Sequence, residues 1–365
     1  MPSTTKNFFL DCSAWGCWCH RLAVPRIWVS RCRPRSCAVP KKKPWGCCRH
    51  CERQPRRSHE SIMTPRRRLW PMMNKIEDLH PSIEVSAQEV FGIKTNLRIP
   101  AFESRTEHVP EIDPVYRFQP DVTMAILSGL VFNRRVAIQG PHGTGKSTHI
   151  EQVAARLNWP CIRVNLDGHI SRLDLVGKDV IALREGKQIT EFQEGMLPWA
   201  LQRPIALVFD EYDAGRPDVM FVIQRVLERE GSFTLLDQKQ VIRPHPFFRL
   251  FATMNTLGQG DALGLYRGTQ RLNHGQLDRW NLMASLDYLS PDEELEIVTA
   301  RVPAMASPAG QEIVRAMVAL AGMTRKGFSV GDLSILMSPR TVMSWAENLQ
   351  IFGDLKRSFY LSLRI

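Results

Sequence analysis

Apolar residues along this chain come in short runs separated by polar turns, and the runs alternate between two periods. Arg135-Val-Ala-Ile-Gln139 reads as a buried strand, Ile205-Ala-Leu-Val-Phe209 as a central parallel strand buried on both faces, and Phe248-Arg-Leu-Phe251-Ala-Thr253 as a third. Thr148 to Leu157 is helix-like. Val342, Trp345, Ala346 and Leu349 share one face of another helix, which opens with Ser338 as its cap and Pro339 at its start. Residues 180–190 read as a hairpin turning at Gly186. Strands alternating with helices predict an α/β fold, a parallel sheet sandwiched by helices, followed by a small helical lid at the C-terminal end.

Composition divides the chain at about residue 72. The whole carries 48 Lys and Arg against 37 Asp and Glu, but residues 1–72 hold 16 basic residues against Asp11, Glu52 and Glu60, leaving 32 against 34 in the rest. The net charge of +11 therefore belongs to the tail, and the body's net of −2 argues against a nucleic-acid partner. Eight of the nine cysteines lie in the tail as well, leaving Cys161 alone. One thiol in a body of this size forms no internal disulfide, which points to a reducing, cytoplasmic location. The longest apolar run, Met124 to Phe132, is about half of the ~20 residues that span a bilayer, so no membrane role is expected.

The tail lacks sustained periodicity and is punctuated by proline, so it is not expected to build a core. Three readings compete. Cys48-Arg-His-Cys51 with Cys17, Cys19 and His20 suggests a zinc module, although the spacings fit no standard finger. A basic, acid-poor composition suggests a targeting segment, but Arg21, Arg26 and Arg31 interrupt any secretory apolar stretch. The favoured reading is a disordered or spurious extension upstream of a start at Met72 or Met73.

The clearest chemistry lies at Gly140-Pro-His-Gly143-Thr144-Gly145-Lys146-Ser147, which satisfies the phosphate-loop pattern with a strand before it and a helix from Thr148 after it. Glycines let the backbone N–H groups turn inward around a phosphate, and the helix N-terminus adds its dipole. Lys146 is placed to reach the β- and γ-phosphates of ATP, and Ser147 to ligate Mg²⁺. The strand ending in Asp210-Glu211, 64 residues after Lys146, supplies the acids such a site requires. Asp210 is expected to hold the Mg²⁺ through water, and Glu211 to polarise the attacking water.

Asn255, at the end of the third strand, is the candidate sensor of the γ-phosphate, unless it only opens the turn before Gly258. Arg279 in Asp278-Arg-Trp280 and Arg340 in Ser338-Pro-Arg340 are the candidate phosphate-facing arginines, each with a plain surface role as its alternative. Arg271 and Arg216 remain open as the finger in place of Arg279.

Taken in order, these motifs resemble those of an AAA+ ATPase. The stretch from Leu173-Asp-Leu-Val-Gly177-Lys178 through the hairpin to Gly195-Met-Leu-Pro-Trp199 resembles the insertion of the MoxR and chelatase branch. Val90-Phe-Gly-Ile, Pro100-Ala-Phe, Arg105 to Pro114, Glu211-Tyr-Asp-Ala-Gly-Arg-Pro-Asp-Val-Met-Phe221 and Gly331-Asp-Leu are similar to the CobS family, the AAA+ subunits of aerobic cobaltochelatase. The resemblance covers about residues 83–360. It implies a ligase subunit that couples ATP hydrolysis to Co²⁺ insertion into hydrogenobyrinic acid a,c-diamide during cobalamin biosynthesis. The implied partners are further copies in a homo-oligomeric ring, together with CobT-like and CobN-like subunits that handle most of the tetrapyrrole and cobalt.

On this reading residues 83–114 form a CobS-type N-terminal segment, 115–288 the ATPase core and 289–365 the lid, where the family continues with a further helical segment. Lys146, Ser147, Asp210, Glu211 and Asn255 serve one ATP, Arg279 serves the neighbour's, and closure of the Arg340 lid moves the hairpin. The main alternative is a MoxR-type chaperone for another metalloenzyme, which would share every catalytic residue.

Overall fold

The computed structural model describes residues 76, 79–184, 186–228, 231–236, 238–256, 258, 260 and 268–363. The cysteine-rich tail, with its zinc, targeting and start-site readings, lies outside the described residues. The described chain opens with an antiparallel pair, β1 (Ile83–Ser86) and β2 (Arg98–Ala101), around the short helix α1 (Ala87–Phe91). Next come α2 (Pro120–Phe132), β3 (Val136–Gln139), α3 (Lys146–Arg156) and β4 (Cys161–Asn165). The segment α4 (Arg172–Val176), β5 (Gly177–Arg184), β6 (Lys187–Glu194) and α5 (Met196–Leu201) leads to β7 (Ala206–Asp210) and α6 (Pro217–Leu227). A small hairpin, β8 (Phe233–Leu235) and β9 (Gln240–Ile242), precedes β10 (Arg249–Met254), α7 (His274–Leu277) and β11 (Leu282–Ser285). Four helices close the described chain: α8 (Pro291–Arg301), α9 (Pro308–Ser329), α10 (Pro339–Phe352) and α11 (Leu355–Leu363).

Five strands form one parallel sheet in the order β11-β3-β10-β7-β4. Parallel strands need long crossovers, and the helices in those crossovers bury both faces. All of β7 and β10 is accordingly buried. Alternate residues serve opposite faces: Leu207 and Phe209 pack with Leu250, Ile223 and Trp199, whereas Ala206 and Val208 pack with Phe251, Ile126 and Ile150. Register places the C-terminal ends together, with Met254 opposite Gln139 and Asn165 opposite Asp210. Ligands of such sheets bind at that edge.

The hairpin β5–β6 is longer than the 180–190 stretch the pattern suggests, pairing from Gly177 with Glu194 to Arg184 with Lys187. Close backbone approach at its base is the reason. A Cβ on Gly177, whose φ is +124°, would lie 2.6 Å from the Gln193 carbonyl oxygen.

The helices from α8 onward enclose their own apolar cluster, including Val298, Val314, Met317, Trp345 and Ala346. Within it Arg325 donates two hydrogen bonds to the buried Glu294 carboxylate at 2.7 and 2.8 Å and a third to the Met337 carbonyl. Helix α10 begins as its pattern suggests, with Ser338 Oγ accepting from Thr341 N–H and Pro339 in the first turn. No helix among the described residues is long and apolar enough to cross a membrane.

Candidate functional site

The phosphate loop joins β3 to α3, and its glycines do more than bend the chain. Gly143 has φ +79°, and a Cβ there would lie 2.4 Å from Ser338 Cβ, so the loop and the cap of α10 meet without room for a side chain. The N–H groups of Gly143, Thr144 and Gly145 make no hydrogen bond to the described residues, which leaves a row of donors at the N-terminus of α3. Thr144 Oγ1 donates to the Pro141 carbonyl and fixes the loop's turn.

Lys146 closes the loop on itself. Its Nζ donates to the carbonyls of Gly140 and Pro141 at 2.8 and 3.0 Å and to Asn255 Oδ1 at 2.9 Å. Burial lowers its pKa to about 8 against the opposing pull of Asp210, Asp213 and Glu211. Asn255, just past the end of β10, thus points its side-chain oxygen at the phosphate-loop lysine.

Asp210 is the hub of the acidic side. Its Oδ1 accepts from Ser147 Oγ at 2.5 Å and from Thr253 Oγ1, while Oδ2 pairs with Arg163 Nε at 3.0 Å. Ser147 and Asp210 are therefore together at the spot where a hydroxyl and a carboxylate would hold Mg²⁺. Glu211 has left-handed backbone (φ +55°, ψ +44°), a conformation that costs an L-residue about 1–2 kcal/mol. Its N–H donates to Thr253 Oγ1 at 3.2 Å, which holds that conformation while leaving the carboxylate unengaged among the described residues.

Beside the loop lies a cavity of about 250 Å³. Gly143, Gly145 and Thr148 form its floor, Tyr116 and Leu286 its core wall, and Arg340 and Met343 its lid wall. Its position continues from the phosphate cradle toward the lid, as the base and ribose of a nucleotide would. Arg340 is exposed at this rim.

The structure thus brings together Gly140, Gly143, Thr144, Gly145, Lys146, Ser147, Thr148, Asp210, Glu211, Asn255 and Arg340. It does not bring Arg279 to them. Arg279 precedes β11, whose first residue pairs with Val136, while the phosphate loop follows Gln139 at the other end of β3. There Arg279 donates to the Gly275 carbonyl, lies 3.9 Å from Glu228, and has both guanidinium Nη atoms within 3.1 Å of the Gln224 side-chain oxygen when that amide is turned toward it.

Residues 135–268 match the AAA domain of the dynein-related subfamily, and residues 78–109 match the N-terminal segment of the cobaltochelatase CobS subunit. The aerobic cobaltochelatase subunit CobS of a Sinorhizobium species is 60% identical over 291 residues, which are 79% of this chain and 88% of that protein. The chain belongs to the CobS family. Its AAA+ fold is that of a nucleotide-binding ATPase, in a family of chelatase subunits. More distantly, the gas vesicle ATPase GvpN of Haloferax mediterranei is 28% identical over 242 residues, 62% of this chain and 65% of its own. The RuvB Holliday junction branch migration motor of Thermotoga maritima aligns over 67% of this chain and 66% of its own at 15% identity, with a TM-score of 0.38. That likeness is too loose to add to what the strand order shows.

Three residues of this CobS-family site are given no role by the sequence motifs: Thr253 and Arg163, which flank Asp210, and Asp213, which lies within the 211–221 stretch and is fully buried under Asn255. Only the strand ends hinted at Thr253, two residues before Asn255. Nothing local marks Arg163 or the structural role of Asp213, since the partners of both are distant in sequence.

Proposed function

We propose that this chain is the ATP-hydrolysing motor of an aerobic cobaltochelatase, coupling hydrolysis to insertion of Co²⁺ into hydrogenobyrinic acid a,c-diamide. The observation that carries the reading is 60% identity across 88% of a CobS subunit. The assembled phosphate loop, Asp210 and Glu211 supply the chemistry such a motor needs.

In this reading the free N–H groups of residues 143–145 and the Lys146 ammonium bind the phosphates of ATP, and Lys146 exchanges its two carbonyl partners for phosphate oxygens. Ser147 and Asp210 would hold Mg²⁺, which would neutralise phosphate charge there. Arg163 Nε, 3.0 Å from Oδ2, shares the Asp210 carboxylate, and its half-exposed side chain leaves it room to turn away. Glu211 accepts the proton of the attacking water, and Asn255, released from Lys146, orients that water or the γ-phosphate. Arg279 serves the neighbouring subunit's ATP, in keeping with its place at the far end of the sheet, so a homo-oligomeric ring completes the site. Arg340 stabilises the phosphates as the lid closes over the cavity.

The same proposal divides the chain into a CobS-type segment at 83–114, an ATPase core at 115–288 and a lid at 289–365, and places the protein in the cytoplasm. CobT-like and CobN-like subunits complete the chelatase and carry most of the tetrapyrrole and Co²⁺. The hairpin β5–β6 meets them.

The test is ATP-dependent Co²⁺ insertion by the full chain with CobN-like and CobT-like subunits, with Glu211→Gln as control. Insertion that disappears in the control supports the reading. Intact ATP hydrolysis without insertion transfers the protein to the MoxR-type chaperone class.

A further inference from the structure

The turn that follows Glu211 makes contacts that the ATPase chemistry does not use. Asp213 is fully buried, and its Oδ2 accepts three hydrogen bonds: from Asn255 N–H at 3.0 Å, Thr256 N–H at 2.7 Å and Thr256 Oγ1 at 2.8 Å. Its own carbonyl accepts from Gln270 N–H at 2.7 Å. The sensor turn also reaches the same segment, since Gly258 N–H donates to Thr256 Oγ1 and the Gly258 carbonyl accepts from Leu272 N–H at 2.8 Å. One residue earlier, Tyr212 packs edge-on against Trp280 with ring centroids 5.1 Å apart, and Trp280 directly follows Arg279.

A closed circuit of hydrogen bonds therefore joins three pieces distant in sequence, the turn after Glu211, the turn that carries Asn255, and residues 270–272, and the Tyr212–Trp280 ring contact extends it to the neighbour of Arg279. The two sites it joins lie at opposite ends of the sheet. A buried carboxylate that bonds through one oxygen and leaves Oδ1 without a partner among the described residues is costly to maintain, and simple packing does not require it. Lys146 holds the Asn255 side chain while Asp213 holds its backbone N–H, so a shift of that backbone on nucleotide binding would strain the bonds to Asp213 and, through Asp213, the bond to Gln270.

We propose that Asp213 is a positioning residue that relays the nucleotide state of a subunit's own site, read at Asn255, to the Arg279 that the subunit offers its neighbour. The proposal rests on the ATPase reading above. It predicts that Asp213 governs cooperativity between subunits rather than nucleotide affinity, a coupling free energy being measurable apart from binding.

The experiment compares wild type, Asp213→Ala and Asp213→Asn in the full chain. Each is measured for MgATP affinity, thermal midpoint, kcat, KM and the Hill coefficient of hydrolysis against ATP concentration. Asparagine keeps an acceptor where Oδ2 stands, and alanine removes it. Expected for Asp213→Ala is a roughly tenfold loss of kcat and a Hill coefficient falling to about one, with ATP affinity within about twofold of Asp213→Asn, which removes the same charge from beside Lys146. Asp213→Asn should recover the cooperativity. A wild-type kcat and Hill coefficient in Asp213→Ala would overturn the relay, as would equal loss in both variants alongside a lower thermal midpoint and lost ATP binding. If Asp213→Ala does not fold, amide exchange in wild type decides. The Asn255, Thr256 and Gln270 amides should change protection together on adding ATP, and independent responses would reject the coupling. Absence of any ATP binding by wild type would instead reject the ATPase reading.

Discussion

The phosphate end of the sheet and the β5–β6 hairpin are opposites in construction. At the sheet end the charged side chains are held from several sides, with three acceptors on Lys146, three donors on Asp210 and three on one oxygen of Asp213, while the N–H groups of residues 143–145 and the Glu211 carboxylate have no partner among the described residues. The hairpin has eight rungs of backbone pairing and little beneath them, with Ile181 75% and Leu183 72% exposed on one face. Preorganised donors and acceptors are what charge stabilisation demands, because they need no rearrangement when charge develops. Exposed apolar side chains on a two-stranded ribbon contribute little to the fold and much to whatever covers them. One molecule thus keeps its preorganised polar groups and its exposed apolar ribbon in separate parts.

The sharpest way to break this division is at Glu211. Glu211→Gln preserves the shape and the N–H bond to Thr253 but removes the proton acceptor. Hydrolysis should fall by about 10²–10⁴-fold, measured as phosphate release, with ATP still bound. Hydrolysis within a few-fold of wild type would remove Glu211 from its role and leave the phosphate end a binding site only.

The hairpin offers the complementary cut. Replacing Ile181 and Leu183 together by serine should leave the thermal midpoint and ATP hydrolysis by the isolated chain essentially unchanged, since neither side chain is part of the core. Co²⁺ insertion with the partner subunits should drop by about tenfold to a hundredfold, as expected when two apolar contacts are lost at an interface. A fall in stability instead would place the hairpin with the core and erase the contrast.

Local signals account for what could be read in advance. The phosphate loop, Asp210-Glu211 and the strand before Asn255 are contiguous patterns of glycine spacing or apolar runs ending in a polar residue, so they declare both structure and chemistry. The Ser338 cap with Pro339 is equally local. Asp213, Thr253 and Arg163 act on residues about 42 to 47 positions away, and the sheet order that brings them together is a property of packing that no window of sequence contains. The hairpin's true length was hidden for a similar reason, since its base is set by the backbone approach of Gly177 to Gln193 across the ribbon. Arg279 was legible as a candidate, but its separation from the phosphate loop became visible only once β11 was paired with β3.

The smallest effect sharpens the account of the phosphate end through pH. Burial holds the Lys146 pKa near 8 in the nucleotide-free protein, and phosphate oxygens in place of two carbonyls would raise it. The bound form then carries a proton that the free form has lost above pH 8, so ATP binding takes up protons there. Affinity should be flat below about pH 7.5 and weaken above 8, approaching tenfold per pH unit, which calorimetry in buffers of different ionisation enthalpy would show as net proton uptake. Folding responds with the opposite sign. A lysine depressed in the folded chain binds fewer protons there than in the unfolded chain, so its burial penalty is full below about pH 8 and is relieved as pH rises toward its ordinary value near 10.5. An ATP affinity independent of pH from 7 to 9.5 would mean that Lys146 stays charged in the free protein. Its two carbonyl partners and Asn255 would then already supply what the phosphates were expected to add.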